Sequence, residues 1–361
     1  MDLPSNTPLR DPPADYCPAD GRRWFRPTEG YDAGKQMFYA DLRTQAAAQA
    51  EPDVTVLLVH GNPECSYTYR HVRDTLLASP RPLRIVAPDH IGMGLSDQAD
   101  YEMLDMHHAA NLRQLVRHLD LRRVVLVVHD WGGPIGIGAL IDEPERVAGL
   151  VVLNTTVFPM PADGYTYCNY PFPWLPWAST ASLVPDALWG GVAAAVVSHA
   201  RPQGFAAFSR LAATWIWRHA RGRIAPGTPE HVWSQSFRTT ANARSSKRNV
   251  RQTPYWGHGY RYRDARHGVQ DNHAYYAHIQ QQLPRVWGPQ GQDIPACGWF
   301  GQWDPCGKDS VIAQWHAALP QMRERTSTFA DVGHFIEEYK GAEIAASILS
   351  LPLAGASPSG G

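Results

Sequence analysis

Short apolar runs alternate with amphipathic stretches along the first 154 residues. The apolar runs are rich in β-branched residues, which is typical of strands buried on both faces of a sheet. Apolar residues at helical spacing, and one run of small residues, predict the intervening helices. The predicted strands are 54–59, 84–87, 124–128 and 150–153, and the predicted helices are 107–119 and 133–141. This alternation predicts an α/β fold, with a mostly parallel sheet and helices on both faces.

The alternation stops after Asn154. Residues 155–290 hold eight of the chain's 13 tryptophans and many prolines, without a clean strand pattern. We therefore expect a mainly helical cap that covers the carboxyl edge of the sheet. The alternation then resumes, with strands at 296–300 and 325–330 and helices at 310–319 and 342–349. The predicted division is a core formed by 1–154 and 291–351, a cap over 155–290, and a flexible tail over 352–361.

Composition narrows the classes of protein and partner. The chain has 361 residues, of which 44% are apolar and 19% charged, as in globular proteins. Its 33 basic and 34 acidic residues nearly balance, so we expect neither a nucleic-acid nor a membrane partner. The five cysteines are scattered without a Cys-x-x-Cys pair, which argues against a zinc site and favours a reducing compartment. No apolar run reaches the roughly 18 residues that span a bilayer, so a cytoplasmic location is predicted.

The segment 238–251 is a local exception, with five basic and no acidic residues. A nucleic-acid patch and a solvated loop are both compatible with this charge. We favour the loop, because the segment lacks the interleaved aromatic residues of a base-stacking platform.

The most informative motif is Val-Val-His-Asp-Trp-Gly-Gly at 127–133. It joins an apolar strand to a run of small residues, which predicts a strand, a sharp turn and a helix. A turn of this kind presents one side chain above the end of a sheet. That side chain is Asp130, and a carboxylate nucleophile indicates attack on an sp³ carbon with formation of an alkyl-enzyme ester. Serine esterase and lipase chemistry is therefore disfavoured.

Hydrolysis of an ester on Asp130 needs a base that activates water, and histidine suits that role near neutral pH. Among the 16 histidines, His334 stands just after the last predicted strand, in Asp-Val-Gly-His-Phe. Asp304 follows the strand at 296–300 and supplies an acid between the nucleophile and the histidine in chain order. We therefore predict a triad of Asp130, His334 and Asp304.

Other residues compete for these roles. Asp309 is a candidate helix cap, and Asp331 stands only two positions before His334, so both are weaker choices for the acid. His129 is expected to form structural hydrogen bonds, because strand alternation turns its side chain away from that of Asp130.

The first buried strand is followed by His-Gly-Asn-Pro at 60–63. After such a strand, this loop can supply a backbone N–H to a developing oxyanion. We expect the N–H of Asn62 to do so, together with the N–H of Trp131 just after the nucleophile. A plain turn shaped by Gly61 and Pro63 is the structural alternative.

These segments resemble the haloalkane dehalogenase family of α/β-hydrolases. The matching segments occur in the family's order at 60–63, 88–97, 129–133 and 333–335. The segments 88–97, 128–133 and 154–159 look particularly like the third subfamily, which includes olefin-forming β-lactone decarboxylases. The cap is longer than is usual in the family.

The resemblance implies an α/β-hydrolase fold with an inserted cap and a nucleophilic Asp130. It also implies that the side-chain N–H groups of Asn62 and Trp131 hold a leaving halide. One subfamily places its acid in the loop that begins here at Asn154, but this loop reads Asn-Thr-Thr-Val. The acid therefore looks like Asp304, as in the other subfamilies.

Several functions follow from these residues. The leading hypothesis is hydrolytic dehalogenation of a small apolar organic substrate without a metal or cofactor, in which Asp130 displaces halide and His334 activates water. The first alternative is β-lactone decarboxylation by the same residues. Epoxide hydrolysis is the second, and it needs tyrosines of the cap to protonate the epoxide oxygen. The available tyrosines are Tyr165, Tyr167, Tyr170, Tyr255, Tyr260 and Tyr262. Asn62 disfavours epoxide hydrolysis, because epoxide hydrolases usually carry an aromatic residue there. A silent binding module is disfavoured because the whole triad is present.

Overall fold

The computed structural model describes residues 3, 6–48 and 50–353, in which twelve strands and eleven helices form. The strands are β1 Arg22–Phe25, β2 Met37–Arg43, β3 Val54–Val59, β4 Leu83–Pro88, β5 Val124–His129, β6 Val147–Leu153, β7 Pro171–Phe172, β8 Leu175–Pro176, β9 Arg261–Asp264, β10 Gly268–Asp271, β11 Ala296–Gly301 and β12 Thr326–Phe329. The helices are α1 Arg70–Leu77, α2 Asp105–His118, α3 Gly132–Leu140, α4 Trp177–Leu183, α5 Trp189–Ser198, α6 Phe205–Ala220, α7 Pro229–Ser236, α8 Thr240–Gln252, α9 His273–Val286, α10 Asp309–Ala318 and α11 Glu337–Leu349. Most of the predicted flexible tail, from residue 354 onward, lies outside the described residues.

Eight strands form one sheet in the order β1-β2-β4-β3-β5-β6-β11-β12. β2 is antiparallel to both of its neighbours, and all other pairs in this sheet are parallel. In the centre, Leu126 of β5 lies opposite Leu57 of β3 and Leu150 of β6. The prediction of a mostly parallel sheet is confirmed.

Alternate side chains of the central strands enter two separate cores. In β5, Val125 and Val127 enter the core that α1 and α11 cover, whereas Leu126 and Val128 enter the core of α2 and α3. Both faces of the sheet are therefore buried, which explains why the strand sequences are continuously apolar rather than alternating.

The segment between β6 and β11 contains α4 to α9 and two short antiparallel ribbons, β7-β8 and β9-β10. The sequence revealed no strands there, because each ribbon strand has only two or four residues. α9 lies against the core, where the Tyr275 hydroxyl donates to the Pro134 carbonyl of α3 at 2.7 Å. The division into a core and a cap over 155–290 stays a proposal. Within the proposed cap, α9 is the helix that contacts α3 of the core.

The prediction of a solvated loop at 238–251 is wrong. Most of this segment is the helix α8, and the polar residues Asn242, Ser246 and Asn249 are buried there. Lys247 is only 4% exposed and lies 2.7 Å from Asp186 Oδ1. Charge alone could not separate a basic loop from a buried polar helix, because the paired carboxylate lies about 60 residues away in sequence.

Within the described residues, no single helix is long and apolar enough to cross a membrane. Only α4 together with the helical residues 186–198 passes that test, across a bend of 119° between them.

We expect Leu126→Ala to lower the free energy of unfolding by about 2–5 kcal/mol, because the substitution leaves a cavity between buried strands. Leu126 is fully buried, whereas Leu183 is 64% exposed. The control Leu183→Ala should therefore change stability by no more than about 0.5 kcal/mol. Urea unfolding of both variants measures the difference, and equal losses would contradict the assigned burial.

Candidate active site

The turn after β5 has a strained backbone. Asp130 has a φ of +51°, a left-handed value that residues other than glycine seldom adopt. Glycines make room for the turn. A Cβ on Gly132 would lie 2.2 Å from the Val59 carbonyl oxygen, and a Cβ on Gly133 would lie 2.1 Å from Thr155 Oγ1. The predicted strand, turn and helix are all present, and the carboxylate of Asp130 lines a large cavity.

His334 lies between two carboxylates. Its Nε2 is 2.9 Å from Asp130 Oδ2, and its Nδ1 is 2.8 Å from Asp304 Oδ2. Asp304 is fully buried, and its second oxygen accepts the N–H of Cys306 at 2.8 Å. The structure thus brings together the three residues that the sequence singled out, and the contact with Cys306 also caps the short helical turn that begins at Pro305.

The competing acids lie elsewhere. Asp309 is the exposed first residue of α10, and Asp331 is exposed on the loop before His334. Among the described residues, the carboxylates that bond to the His334 ring are those of Asp130 and Asp304. This geometry favours Asp304 over both alternatives.

The charge of His334 depends on its two neighbours. Burial opposes a positive charge, but Asp304 and Asp130 outweigh it and raise the pKa of His334 well above its usual value. The imidazole is therefore protonated while both carboxylates are free. An ester on Asp130 removes one of these negative charges, so the pKa of His334 falls when the ester forms. The same histidine can thus be a cation before the attack and a base after it.

The loop before α1 contacts the other oxygen of Asp130. The N–H of Asn62 donates to Asp130 Oδ1 at 2.6 Å, and a Cβ on Gly61 would lie 2.2 Å from that oxygen. The side-chain amide of Asn62 instead donates to the Ser246 carbonyl of α8 at 3.2 Å. The backbone N–H is therefore directed at the carboxylate, whereas the side chain joins the core to α8.

Trp131 stacks against Trp256, a residue that was not predicted from the sequence to belong to the site. Its ring lies 3.9 Å from that of Trp256, with the planes 13° apart, and it is 2% exposed. The Trp256 indole N–H donates to the Thr156 carbonyl at 2.7 Å. No acceptor for the Trp131 indole N–H occurs among the described residues. Trp131 therefore has an unused donor next to Asp130, while Trp256 lines the cavity.

A cavity of about 160 Å³ ends at the triad. The walls come from β8, the end of α4, α5 and α6, and they are mostly apolar. Wall residues away from the triad include Leu175, Val184, Val192, Val196, Phe208 and Ile216. These walls match a substrate with apolar substituents.

Two of the six tyrosines considered for epoxide chemistry, Tyr167 and Tyr170, line the cavity. The hydroxyl of Tyr167 lies 3.3 Å from the Cys306 sulfur and 3.5 Å from Asp304 Oδ2. It is therefore engaged with the acid. The other four tyrosines, which do not line the cavity, are Tyr165, Tyr255, Tyr260 and Tyr262.

A second charged cluster, formed by Glu64, His129 and Glu337, lies behind the triad and was missed by the sequence analysis. All three side chains are fully buried. His129 donates from Nδ1 to Glu64 Oε1 at 2.8 Å and from Nε2 to the His334 carbonyl oxygen at 2.9 Å. Glu64 Oε1 also accepts the N–H of Gly61 at 2.6 Å. His129 and Glu64 therefore connect the loops that carry Asn62, Asp130 and His334.

The positive charge on His129 is stabilised by the two glutamates beside it. Burial opposes a positive charge on His129, but Glu337 and Glu64 outweigh it and raise its pKa to about 9. Burial raises the pKa of Glu337 to about 8, although His129 opposes the shift. The same three residues are the one group of metal-ligand type among the described residues. Both ring nitrogens of His129 donate hydrogen bonds, so neither offers a lone pair to a metal ion.

We expect the free energy of unfolding to fall as the pH rises from about 6.5 to 9. The proton on His129 has a pKa of about 9 in the folded chain and an ordinary value of 6.5. Its stabilisation is complete below pH 6.5 and is lost towards pH 9, by up to about 1.4 kcal/mol per pH unit. Glu64→Gln removes the charge beside Nδ1 and should make this decline shallower.

Urea unfolding at several pH values between these limits measures the slope. The exposed Glu145 offers a matched control, and Glu145→Gln should keep the wild-type slope. A Glu64→Gln slope equal to that of the wild type would show that the pairing of Glu64 with His129 is wrongly assigned.

Comparisons with known proteins agree with this geometry. A family model for the alpha/beta hydrolase fold matches residues 54–340. The chain is 28% identical over 301 residues to a cis-3-alkyl-4-alkyloxetan-2-one decarboxylase of Shewanella oneidensis, covering 82% of this chain and 80% of that protein. It is 34% identical over 140 residues to haloalkane dehalogenase 2 of Mycobacterium bovis, covering 38% of this chain and 43% of that protein.

Solved structures show the same fold. The tetrameric haloalkane dehalogenase DpaA from Paraglaciecola agarilytica NO2 is similar over 97% of this chain and 96% of its own, with a TM-score of 0.63 and 21% identity. The resemblance to haloalkane dehalogenases and β-lactone decarboxylases that the motifs indicated is confirmed, since an oxetan-2-one is a β-lactone. Because the family match covers most of its length, the chain belongs to the α/β-hydrolase fold family.

Proposed function

We propose that this protein decarboxylates β-lactones that carry two alkyl chains, with Asp130 as the nucleophile. The observation that carries the proposal is the apolar wall of the cavity that ends at Asp130 and His334. Apolar side chains of α5 and α6 extend this wall away from the triad, which suits a four-membered ring with alkyl chains on C3 and C4. The oxetan-2-one decarboxylase that aligns over 82% of the chain supports the same substrate class. β-Lactone decarboxylation, an alternative at the level of sequence, is therefore favoured over hydrolytic dehalogenation, which the sequence motifs favoured.

The first step opens the ring. Asp130 Oδ1 accepts the N–H of Asn62, and Oδ2 lies beside Nε2 of His334. Oδ2 attacks C4, the sp³ carbon bonded to the ring oxygen. The C4–O bond breaks, and its electron pair stays on the ring oxygen. The products are an ester between C4 and Asp130 and a free carboxylate on C3. The imidazolium of His334 faces this new negative charge.

The second step releases both products. The bond from C3 to the carboxylate breaks, and carbon dioxide leaves. The electron pair of that bond becomes the C3=C4 double bond, while the C4–O bond returns its pair to Asp130. Water and protons are neither consumed nor released, so the histidine acts as a charge partner and not as a base. Inversion at C4 followed by anti elimination converts a cis lactone into a cis olefin.

Hydrolytic dehalogenation is the second candidate. It is favoured by the unused indole N–H of Trp131, the residue after Asp130, because this group can donate a hydrogen bond to a leaving halide. His334 then activates water against the ester, as its lowered pKa in the esterified site allows. Epoxide hydrolysis has weaker support, because the hydroxyl of Tyr167 is engaged with Asp304 and Cys306.

We expect the purified protein to convert a cis-3,4-dialkyl β-lactone into the cis olefin and carbon dioxide. Asp130→Asn should lower this rate by on the order of 10⁴-fold or more, because no nucleophile remains. Asp331→Asn, at an exposed position near His334, should leave the rate unchanged. Gas chromatography measures the olefin. Bromide release from bromoalkanes without any lactone turnover would replace this proposal with the dehalogenase.

Isotope labelling separates the two mechanisms at Asp130. After many turnovers of lactone in ¹⁸O-water, we expect no ¹⁸O in the Asp130 carboxylate, because the ester breaks at its C4–O bond. Hydrolytic turnover would instead leave a solvent oxygen on Asp130, because water attacks the ester carbonyl. Mass spectrometry of the peptide that contains Asp130 reads the label, and the Asp304 peptide is the control. Labelling driven by lactone would rule out the elimination step.

A further inference from the structure

The outer surface formed by residues 164–185 and helix α6 carries large exposed aromatic rings. Trp174 is 67% exposed, Trp217 49% and Phe205 42%. Trp174 stacks 5.7 Å from Phe172 and lies edge-on, 5.6 Å from Phe205. Contiguous exposed apolar groups of this kind mark an interaction site.

The helix α6 separates solvent from the cavity by the thickness of one helix. None of its 16 residues is buried. Phe208, Ala212 and Ile216, spaced four apart, line the cavity, while Trp217 and Arg210 are exposed on other sides of the helix. An apolar molecule that lies on this outer surface is therefore one helix away from the substrate cavity.

The charge of this region is one-sided. Residues 164–185 contain no charged residue, and residues 187–229 contain five arginines with no aspartate, glutamate or lysine. All five arginines are exposed, and within the described residues none lies within ion-pair distance of a carboxylate. They are Arg201, Arg210, Arg218, Arg221 and Arg223. Three of them, Arg201, Arg218 and Arg223, lie over aromatic rings. The near-zero net charge of the whole chain concealed this local excess and led to the expectation of no membrane partner.

We propose that the outer surface binds to an anionic lipid bilayer, from which apolar substrate enters the cavity. Exposed tryptophan and phenylalanine beside exposed arginines are the pattern of a segment that lies in a membrane interface. A second copy of the chain would bring its own Arg210 and Arg218 to the same surface, so a negatively charged partner is favoured. Substrate uptake from the bilayer rests on the proposed function, whereas the lipid binding does not.

Co-sedimentation of the full chain with vesicles of phosphatidylcholine and about 30% phosphatidylglycerol tests the proposal. We expect binding that weakens with salt and with pure phosphatidylcholine. Arg210→Ala combined with Arg218→Ala should lower the partition coefficient about 25-fold, or about fivefold for each arginine. Arg261→Ala combined with Arg263→Ala, two exposed arginines of β9, is the matched control and should bind as the wild type does.

Trp174→Ala combined with Phe205→Ala should lower vesicle binding about tenfold or more, because buried apolar area is lost. If neither the double arginine substitution nor the double aromatic substitution lowers vesicle binding, the proposal is overturned. A dimer that depends on Trp174 and Phe205, without vesicle binding, would overturn it in favour of a second copy.

None of the four substituted residues of the outer surface lines the cavity, so turnover of a soluble short-chain β-lactone should be unchanged in these variants. Intact vesicle binding without lactone turnover therefore counts against the proposed function alone. Lactone turnover without vesicle binding counts against the membrane surface alone.

Discussion

Asp130 holds a backbone conformation that costs on the order of 1–3 kcal/mol, and its neighbours are arranged to maintain it. Thr155 donates its hydroxyl to the Asp130 carbonyl oxygen, and Gly132 and Gly133 leave the space that the turn needs. The N–H of Asn62 then fixes one carboxylate oxygen and leaves the other for His334. The geometry of the whole site follows from this turn, because each partner contacts a carboxylate that the strained backbone has already positioned.

Two neighbouring histidines, His129 and His334, are each hydrogen-bonded to carboxylates. The rings of His129 and His334 are 4.8 Å apart, and both are positively charged when their carboxylate partners are free. Such cations repel each other, so the arrangement needs compensating charge on every side. Asp130 and Asp304 supply it at His334, and Glu64 supplies it at His129. Burial raises the pKa of Glu337 to about 8, so its carboxyl group adds a negative charge beside His129 only above that pH. His129 also donates a hydrogen bond from Nε2 to the backbone carbonyl oxygen of His334. The same charged ring therefore helps to position the loop that carries His334.

Features that depend on neighbours in sequence could be predicted. The apolar runs predicted the strands, and the motif at 127–133 predicted Asp130, because a strand and its turn are local structures. The expected helix-capping role of Asp309 favoured Asp304 as the acid, and the structure agrees in its contacts with His334. Contacts across long separations could not be read in this way. Glu64 and Glu337 are 273 positions apart, and nothing near either residue indicates that both flank His129. The prediction of a solvated loop at 238–251 was wrong for the same reason, because Asp186, the acidic partner of Lys247, is distant in sequence.

The hydrogen bond from the Asn62 side chain to α8 ends on a backbone carbonyl, that of Ser246. A main-chain acceptor is present whatever side chain stands at that position. The side chains of α8 can therefore be exchanged over generations while the link to the loop that contacts Asp130 is retained. Sequence drift in this helix is thereby uncoupled from the position of the Asp130 carboxylate.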